Sequence, residues 1–342
     1  MFKNISFINV AKSISKLIKN TNNPSEIFLA KVGLKELCDV YYRNGLKIEK
    51  ICREKIAIKL LADLPDILAK FDEVEYSSGG ITVNGVFISW QNLGVLKDCS
   101  DIIDVGGNIY GVANNEVVIE VPFNGSLYRF KLPHILAGIG EIKQVFINNV
   151  YGCLDYTDKR VLDVGGFIGD TAVFFVASGA KEVHSFEPNP MIFEFLKTNI
   201  LLNNVESKVF AHCMGLGVGA RKEKLLITDS FTETRLQSYV NSKYEKKIVN
   251  RAHVRVGDVF RFLDEYKIDI IKLDCEGCEY EILRGIVETG YIQSLEGVVA
   301  ELHSVWSRAQ KQFLADISKF GLDVNIIAKN NEELLIKITP KT

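Results

Sequence analysis

The sequence has little of what marks nucleic-acid-binding, membrane or disulfide-rich proteins. Its formal net charge is only −2, which gives no sign of the positive surface that a nucleic-acid partner requires. No apolar run approaches the roughly 20 residues that cross a bilayer, and the N-terminus lacks the uninterrupted apolar core of a signal peptide. The seven cysteines are scattered and odd in number, which favours a reducing, cytoplasmic compartment over a disulfide framework.

Length and pattern predict two regions. A chain of 342 residues with 47% hydrophobic and 25% charged residues can fold as two domains. Residues 1–140 are predicted to be α+β: helices over Pro24–Tyr42 and from Glu49 towards Leu61, a break at Pro65, then a meander of antiparallel β-hairpins over Glu73–Lys131. We expect this region to serve acceptor selection or oligomerisation.

Residues 141–342 alternate strands and helices, which predicts an α/β domain with a mostly parallel sheet. An apolar strand at 161–164 leads into a glycine turn and a helix, and the next strand, Glu182–Phe186, ends on Glu187. Glycines let a backbone turn tightly beside a ligand, and an acid at the end of the second strand can hold two ribose hydroxyls. The glycines of the turn are Gly165, Gly166 and Gly169.

The glycine that is absent from this turn selects the cofactor. A dinucleotide fingerprint reads Gly-x-Gly-x-x-Gly, and here Val164 stands at the first glycine position. With Asp163 at the end of the strand, the turn suits a cofactor without a pyrophosphate, and S-adenosylmethionine fits best. A NAD-dependent dehydrogenase is the alternative that Val164 argues against.

A second segment, residues 104–111, nearly repeats residues 163–170. Tyr110 replaces the third glycine, and Asn114-Asn115 leads into a strand. Without a following helix there is no helix N-terminus to face a ligand. We interpret this segment as a hairpin turn and not as a second cofactor site.

The rest of the chain is predicted to complete a sheet of seven strands. A hairpin over Ala220–Thr228, a polar loop or short helix over Asp229–Asn250 and a strand over His253–Val256 interrupt it. The remaining strands are expected at 208–211, 268–273, 297–302, 323–327 and 334–338.

Four motifs follow the predicted strands in order: Val-Leu-Asp-Val-Gly within 161–170, an acid with Pro-x-Pro at 187–190, Ile-Lys-x-Asp-x-Glu-Gly-x-Glu at 271–279, and Glu-x-His at 301–303. Together they resemble the motifs of the FkbM family of S-adenosylmethionine-dependent methyltransferases. The resemblance spans residues 141–305. It implies a class I methyltransferase fold, Rossmann-like, with an antiparallel last strand, and O-methylation of a hydroxyl on a sugar, glycan or polyketide-type natural product.

In this interpretation the cofactor lies along the first three strands. Asp163 and the amides of the glycine turn would hold its methionine end, and Glu187 its ribose. Asp170 either contacts the cofactor or begins the helix, while Asp163 could instead cap that helix. Fold position places the adenine around His212, Cys213 and Met214, after the third strand, although ordinary core packing explains these residues nearly as well. Pro188, which follows Glu187, is also assigned to the cofactor site.

Methyl transfer to a neutral hydroxyl needs a general base. His303 is our first choice because it ends a central strand at the carboxyl edge of the sheet, where such sites form; a structural histidine is the alternative. Asp274 and Glu276, at the neighbouring strand end, could orient the acceptor, act as base or bind the cofactor's amino group. Glu279 is expected to serve the next helix, and Lys272 to form a buried ion pair with Asp274.

The spacing Cys275-x-x-Cys278 could mean a redox pair or half of a zinc site. A closed zinc site needs two more ligands, and none is evident nearby, so no metal is expected. A divalent ion held by Asp274, Glu276 and Glu301 remains open.

Two further function classes are weighed against an O-methyltransferase. A nucleic-acid methyltransferase usually carries an Asn/Asp-Pro-Pro-aromatic motif after the fourth strand, where this chain has Asp274-Cys275-Glu276-Gly277. A non-catalytic scaffold with this fold is disfavoured by the intact glycines and Glu187. The sequence does not predict the acceptor's identity or the oligomeric state.

Overall fold

The structure is a computed structural model. It describes residues 14–25, 27, 37–41, 43, 47–52, 58–77, 79–112, 116–228, 234–239, 248–303, 307–329 and 333–341. Contacts divide the chain into two compact units, Met1–Ile119 and Glu120–Thr342. No helix in these described ranges is long and apolar enough to cross a membrane.

The described part of the first unit contains short strands, helical residues at 14–20 and two longer helices. Strand β1 pairs antiparallel with β2, and β3, β4 and β5 form an antiparallel meander. Asn84 and Gly85, between β4 and β5, both have positive φ (47° and 77°), as the predicted two-residue hairpin requires. The elements are β1 (Leu37–Tyr41), β2 (Lys47–Cys52), α1 (Ile58–Leu68), β3 (Val74–Tyr76), β4 (Gly80–Val83), β5 (Val86–Ser89), α2 (Val95–Asp104) and β6 (Asn108–Gly111).

The two helices predicted before residue 61 are wrong over β1 and β2, because the structure has strands at these residues. The predicted helix over Pro24–Tyr42 ends in β1, and its residues 28–36 lie outside the described residues. The predicted helix from Glu49 begins in β2. Val40 pairs with Ile48 across this hairpin, and β-branched residues such as these favour extended backbone.

The predicted break at Pro65 is also wrong, because α1 continues through it to Leu68. Leu61, Leu64 and Ile67 are buried on one side of this helix. Their burial outweighs the one backbone hydrogen bond that a proline removes.

The glycine-rich segment at 104–111 is not a hairpin turn. It is the C-terminus of α2, a helix that the sequence analysis missed, followed directly by β6. Gly106, with φ of 88°, donates its amide to the carbonyl of Ile103, which is the usual way for a glycine to end a helix.

The second unit is built on a seven-stranded sheet with the order β11-β10-β9-β16-β17-β19-β18. Neighbouring strands from β11 to β17 are parallel, and β19 runs antiparallel to β17 and β18. The predicted fold class is therefore confirmed, including the antiparallel last strand. These strands are β9 (Arg160–Val164), β10 (Glu182–Phe186), β11 (Val209–His212), β16 (Ile270–Leu273), β17 (Gly297–His303), β18 (Leu322–Lys329) and β19 (Glu333–Pro340).

Five helices of eight residues or more lie in the described part of this unit, after a short helix at Ile139–Ile142 that continues as a π-helix over Lys143–Ile147. A second sheet has the order β12-β15-β13-β14. The boundary between the units falls inside β7. Of the predicted polar segment Asp229–Asn250, residues 229–233 and 240–247 lie outside the described residues. The elements are β7 (Val117–Phe123), β8 (Ser126–Leu132), α3 (Asp170–Ala177), α4 (Pro190–Leu202), β12 (Gly215–Gly217), β13 (Arg221–Thr228), β14 (Arg235–Leu236), β15 (Ile248–Asp258), α5 (Val259–Tyr266), α6 (Glu279–Glu288) and α7 (Ser307–Ile317).

The central strands of the large sheet are buried. All four residues of β16 are buried, as are four of the five residues of β9, as expected of a parallel sheet covered on both faces. Because these strands are parallel, the segments that follow them meet at one edge. The loops after residues 164, 186 and 273, together with the strand end at residue 303, therefore form the candidate site.

Candidate active site

A cleft of about 250 Å³ lies at the carboxyl ends of β9, β10, β16 and β17. Every residue that lines it belongs to the second unit. The predicted site residues among its lining are Gly165, Asp170, Glu187, Pro188, Asp274, Glu276 and His303.

The glycine turn brings the ends of β9 and β16 into direct contact. Gly165 has φ of 83°, and a Cβ there would lie 1.7 Å from the carbonyl oxygen of Asp274, so only glycine fits. The amides of Gly165 and Gly166 both donate to the carbonyl of Phe186, and the amide of Gly169 donates to Gly166. These three amides therefore hold the turn itself.

Asp163 is fully buried behind the cleft and does not line it. Its Oδ2 accepts hydrogen bonds from Ser185 Oγ (2.7 Å) and Thr171 Oγ1 (3.0 Å). Its Oδ1 lies 3.3 Å from Lys272 Nζ. The carboxylate thus links the first two strands to α3 and to β16.

Lys272 connects the glycine turn after β9 to Asp274 at the end of β16. Its Nζ donates to the carbonyl of Gly165 (2.6 Å) and lies 3.6 Å from Asp274 Oδ2, so the predicted buried ion pair is confirmed. Burial alone would lower the pKa of Lys272, but Asp163, Asp274 and Asp170 raise it above its usual value. Lys272 is therefore cationic.

Glu187 is 7% exposed and lines the cleft at the end of β10. Its Oε1 accepts the amide of Asn189 (2.7 Å), and its Oε2 accepts the amide of Phe167 (3.1 Å). Burial raises the pKa of Glu187 to about 7, against the lowering effect of these two amides. Asp170, at the start of α3, also lines the cleft, and burial raises its pKa to about 7.

His303 is 5% exposed and lies among three carboxylates. Its Nδ1 is 3.0 Å from Glu279 Oε1, and its Nε2 is 3.5 Å from Glu276 Oε1 and 3.7 Å from Asp274 Oδ1. Burial would lower the pKa of His303, but Glu279, Glu276 and Asp274 raise it well above its usual value. The imidazole is therefore cationic in the free protein at neutral pH.

Glu279 begins α6 and is fully buried. Besides contacting His303, its carboxylate accepts the amides of Cys275 and Gly277, both at 2.8 Å. From the sequence, Glu279 is expected to serve the N-terminus of this helix. The structure shows that it fixes the preceding turn, in which Cys275 and Cys278 form a disulfide.

Glu276 projects from that turn into the cleft and forms an ion pair with Arg235 of β14. Burial raises the pKa of Glu276 to about 7, while His303 and Arg235 lower it. Burial, and secondly Asp274, raise the pKa of Glu301 to about 9.

Two sets of side chains around His303 have donor atoms within 4.8 Å of one another and could hold a divalent cation. The first set adds Asp274 and Glu279, and the second adds Glu301 and Glu333.

The three residues predicted to line an adenine pocket are not among the residues that line the cleft. Cys213 is exposed, and Met214 is partly buried and packs against the core. His212 stacks on Phe186, with ring centroids 4.3 Å apart.

Residues 163–321 match the family model of the methyltransferase FkbM domain. This chain contains an FkbM methyltransferase domain. The matched segment lies within the second unit and includes the strand ends that form the cleft. The family resemblance found in the four motifs is therefore confirmed.

Relatives of the FkbM domain are methyltransferases by name. Methyltransferase 1 of Beauveria bassiana (strain ARSEF 2860) is 28% identical over 182 residues, which cover 47% of this chain and 71% of that protein. Methyltransferase sdnD of Sordaria araneosa is 25% identical over 216 residues, which cover 53% of this chain and 81% of that protein. Among solved structures, precorrin-6y C5,15-methyltransferase from Geobacter metallireducens GS-15 aligns with 57% of this chain and 86% of that chain, with 10% identity and a TM-score of 0.36.

Several residues of the cleft were not predicted from the sequence. Tyr151 is buried, lines the cleft and donates its hydroxyl to Asp274 Oδ2 at 3.2 Å. Glu141 and Glu333 also line the cleft. Glu333 lies opposite His303 in the pairing of β17 with β19, so a correct strand register would have found it. The sequence carries no comparable signal for Tyr151, which precedes β9 in a loop.

Proposed function

We propose that the FkbM domain is an S-adenosylmethionine-dependent O-methyltransferase. Its acceptor would be a hydroxyl of a sugar, a glycan or another small natural product. The observation that carries the proposal is the placement of two acid sites in one cleft. Glu187 lies at the end of β10, and the pair of Glu276 and His303 lies at the ends of β16 and β17. The first site suits a ribose, and the second can take a proton from a hydroxyl.

The residues around Glu187 fit the ribose of this cofactor. Each carboxylate oxygen accepts one backbone amide, which orients the group and leaves each oxygen with lone pairs for a hydroxyl donor. Asp170 adds negative charge near the glycine turn, which suits a ligand with a sulfonium and an ammonium group. When bound, S-adenosylmethionine supplies an electrophilic methyl group.

Asp163 and the glycine turn contribute indirectly in this proposal. Asp163 is engaged by Lys272, Ser185 and Thr171, so it fixes the strand ends rather than facing a ligand. The glycine amides of the turn already donate hydrogen bonds within the protein. The turn therefore contributes by letting a ligand approach its backbone closely.

We propose Glu276 as the immediate proton acceptor and His303 as the cation that orients it. A histidine that already carries its proton cannot accept another one, and three carboxylates keep His303 protonated. Glu276 Oε1 lies 3.5 Å from His303 Nε2 and lines the cleft. Positioning of the hydroxyl in line with the methyl group would supply most of the acceleration.

The charge of the cleft argues for an acceptor that is not a polyanion. Among the described residues that line it, Lys272 and His303 are basic and seven are acidic. Burial raises the pKa values of Asp170, Glu187 and Glu276 to about 7 and that of Glu301 to about 9, so the excess of negative charge, and its repulsion of a nucleic-acid backbone, grows as the pH rises above 7. The acidic lining residues are Glu141, Asp170, Glu187, Asp274, Glu276, Glu301 and Glu333.

Calorimetric titration with S-adenosylmethionine and S-adenosylhomocysteine tests the cofactor. We expect saturable binding of both, weakened at least about tenfold in Glu187→Ala, because a hydrogen bond to a charged group contributes about 1.5–3 kcal/mol. Glu194→Gln, an exposed substitution on α4, is the matched control and should bind as the wild type does. Binding of NAD in place of these ligands, or undiminished affinity in Glu187→Ala, would contradict the proposal.

A further inference from the structure

The disulfide between Cys275 and Cys278 lies in the turn that joins β16 to α6, and its Cα atoms are 5.6 Å apart. Cys275 is half-buried and lines the cleft, whereas Cys278 is 2% exposed at the N-terminus of α6. Cys275 is thus the more accessible of the two cysteines. We propose that this pair is a redox-active site for an uncharged dithiol and that its oxidised state holds Glu276 in place.

The backbone between the two cysteines needs restraint. Glu276 has φ of 58° and Gly277 has φ of 128°, and an L-residue such as glutamate rarely adopts the left-handed region. The disulfide clamps the turn on both sides of these residues. The other restraint is Glu279, whose carboxylate accepts the amides of Cys275 and Gly277. Without the disulfide, hydrogen bonds alone would oppose relaxation of Glu276.

Relaxation of this turn would reach the centre of the cleft. Glu276 contacts His303 and Arg235, and both contacts depend on the backbone position of Glu276. The turn also packs on the glycine turn, because a Cβ at Gly165 would lie 3.3 Å from the Cα of Cys275. The consequence for methyl transfer rests on the proposed function, whereas the redox site itself does not.

The exchange chemistry follows from the accessibility of the two sulfurs. A thiolate of the reductant attacks Cys275 Sγ and forms a mixed disulfide, while the Cys275–Cys278 bond breaks with its electron pair on Cys278, which takes up a proton. The second thiol of the reductant then displaces Cys275, which also leaves as a thiol. Two electrons and two protons pass from the dithiol, now a cyclic disulfide, to the protein.

The charge around Cys275 selects the reductant. Asp274 and Glu276 line the same cleft, and their negative charge above about pH 7 repels an anionic thiol such as glutathione. An uncharged dithiol escapes this repulsion, and its second thiol resolves the mixed disulfide within the same complex. We therefore expect dithiothreitol to reduce the pair several-fold faster than glutathione at equal thiolate concentration and low ionic strength, with a smaller difference in high salt.

Peptide mapping tests the site directly. Full-length protein purified without reductant is blocked with iodoacetamide and digested with trypsin, and the peptide Leu273–Arg284 is weighed. We expect this peptide to be unmodified and lighter by two hydrogens than its dithiol form, and to take up two alkyl groups only after dithiothreitol treatment. Alkylation of both cysteines in the unreduced protein would overturn the proposal, as would equal rates for the two reductants.

Amide hydrogen exchange tests the effect on Glu276. Residues 275–279 should exchange several-fold faster after reduction, and Cys278→Ser should show the faster exchange without reductant. Cys213→Ser, at an exposed cysteine outside the turn, is the control and should exchange as the oxidised wild type does. Identical exchange in oxidised and reduced wild-type protein would overturn the proposal. Failure to bind S-adenosylhomocysteine in both states would count against the proposed function alone.

Discussion

At the residue scale, the pH dependence of turnover distinguishes Glu276 from His303 as the base. With Glu276 as the proton acceptor, kcat/KM should fall as the pH drops through about 7, the pKa to which burial raises this carboxyl, because the protonated form cannot accept a proton. Glu276→Gln should lower kcat by about 10²–10⁴-fold. The measurement is a pH–rate profile with the first hydroxyl acceptor that turns over.

The control for this prediction is Glu288→Gln, which changes an exposed carboxyl at the other end of α6 and should leave the profile unchanged. His303→Gln separates the two roles, since it removes the cation beside Glu276 and should move the acidic limb of the profile to higher pH. A wild-type profile with no limb near pH 7, or full activity in Glu276→Gln, would exclude Glu276 as base.

The sequence identifies most of these residues because they follow strands in recognisable motifs. His303, Asp274 and Glu276 are brought to one cleft by the parallel order of β16 and β17, which the motifs imply. The proton distribution between His303 and Glu276 could not be predicted, because it depends on Glu279, whose side chain turns back towards Cys275. Arg235 likewise reaches Glu276 only through tertiary structure.

At the scale of elements, two asparagines of α4 attach this helix to the edge of β8. Asn199 Nδ2 donates to the carbonyls of Lys131 (3.1 Å) and Ile168 (2.8 Å), and its Oδ1 accepts the amide of Lys131. Asn203, one turn later, makes the same pair of bonds to Arg129. Asn199 is fully buried, whereas the bonds of Asn203 to Arg129 are exposed to solvent.

Burial should therefore separate the effects of substituting these two residues. Asn199→Ala leaves buried backbone groups unpaired and should lower the free energy of unfolding by about 2–4 kcal/mol, while Asn203→Ala should lower it by about 1 kcal/mol or less because water replaces the lost bonds. Urea denaturation of both variants measures the difference. Equal destabilisation by the two substitutions would show that the bonds of Asn199 contribute nothing beyond those of an exposed asparagine.

The sequence predicts elements well where periodicity and length agree. The strands of the large sheet are short apolar runs separated by helices, and their parallel arrangement leaves few alternatives. The errors before residue 61 arise because the apolar pattern there fits a helix as well as a strand. The pairing of Val40 with Ile48 across β1 and β2 selects the strand, and β-branched residues favour that conformation. The helix α2 was not predicted because it lies within a segment, Glu73–Lys131, whose apolar residues otherwise alternate with the period of two that is typical of strands.

At the scale of the whole molecule, the acidic cleft couples protonation to stability. Burial raises the pKa of Glu301 from 4.5 to about 9, so the folded protein holds a proton that the unfolded chain releases above about pH 4.5. Carboxylates likewise raise the pKa of His303 well above 6.5, against the opposing effect of burial. In both cases the folded state binds more protons than the unfolded state, so stability falls as the pH rises.

We therefore expect the free energy of unfolding to decrease between pH 6 and pH 9, through the folded-state pKa values of Glu301 and His303. Glu301→Gln keeps the shape of the side chain without its titration, so it should flatten this dependence by an amount on the order of a few kcal/mol, since each pKa unit corresponds to about 1.36 kcal/mol. Urea denaturation at pH 6, 7.5 and 9 measures both variants. Glu296→Gln removes a carboxyl that is 52% exposed and paired with Lys159, and it should leave the slope as in the wild type. A stability that rises towards pH 9, or an unchanged slope in Glu301→Gln, would mean that Glu301 is already ionised in the folded protein and that a cation balances it.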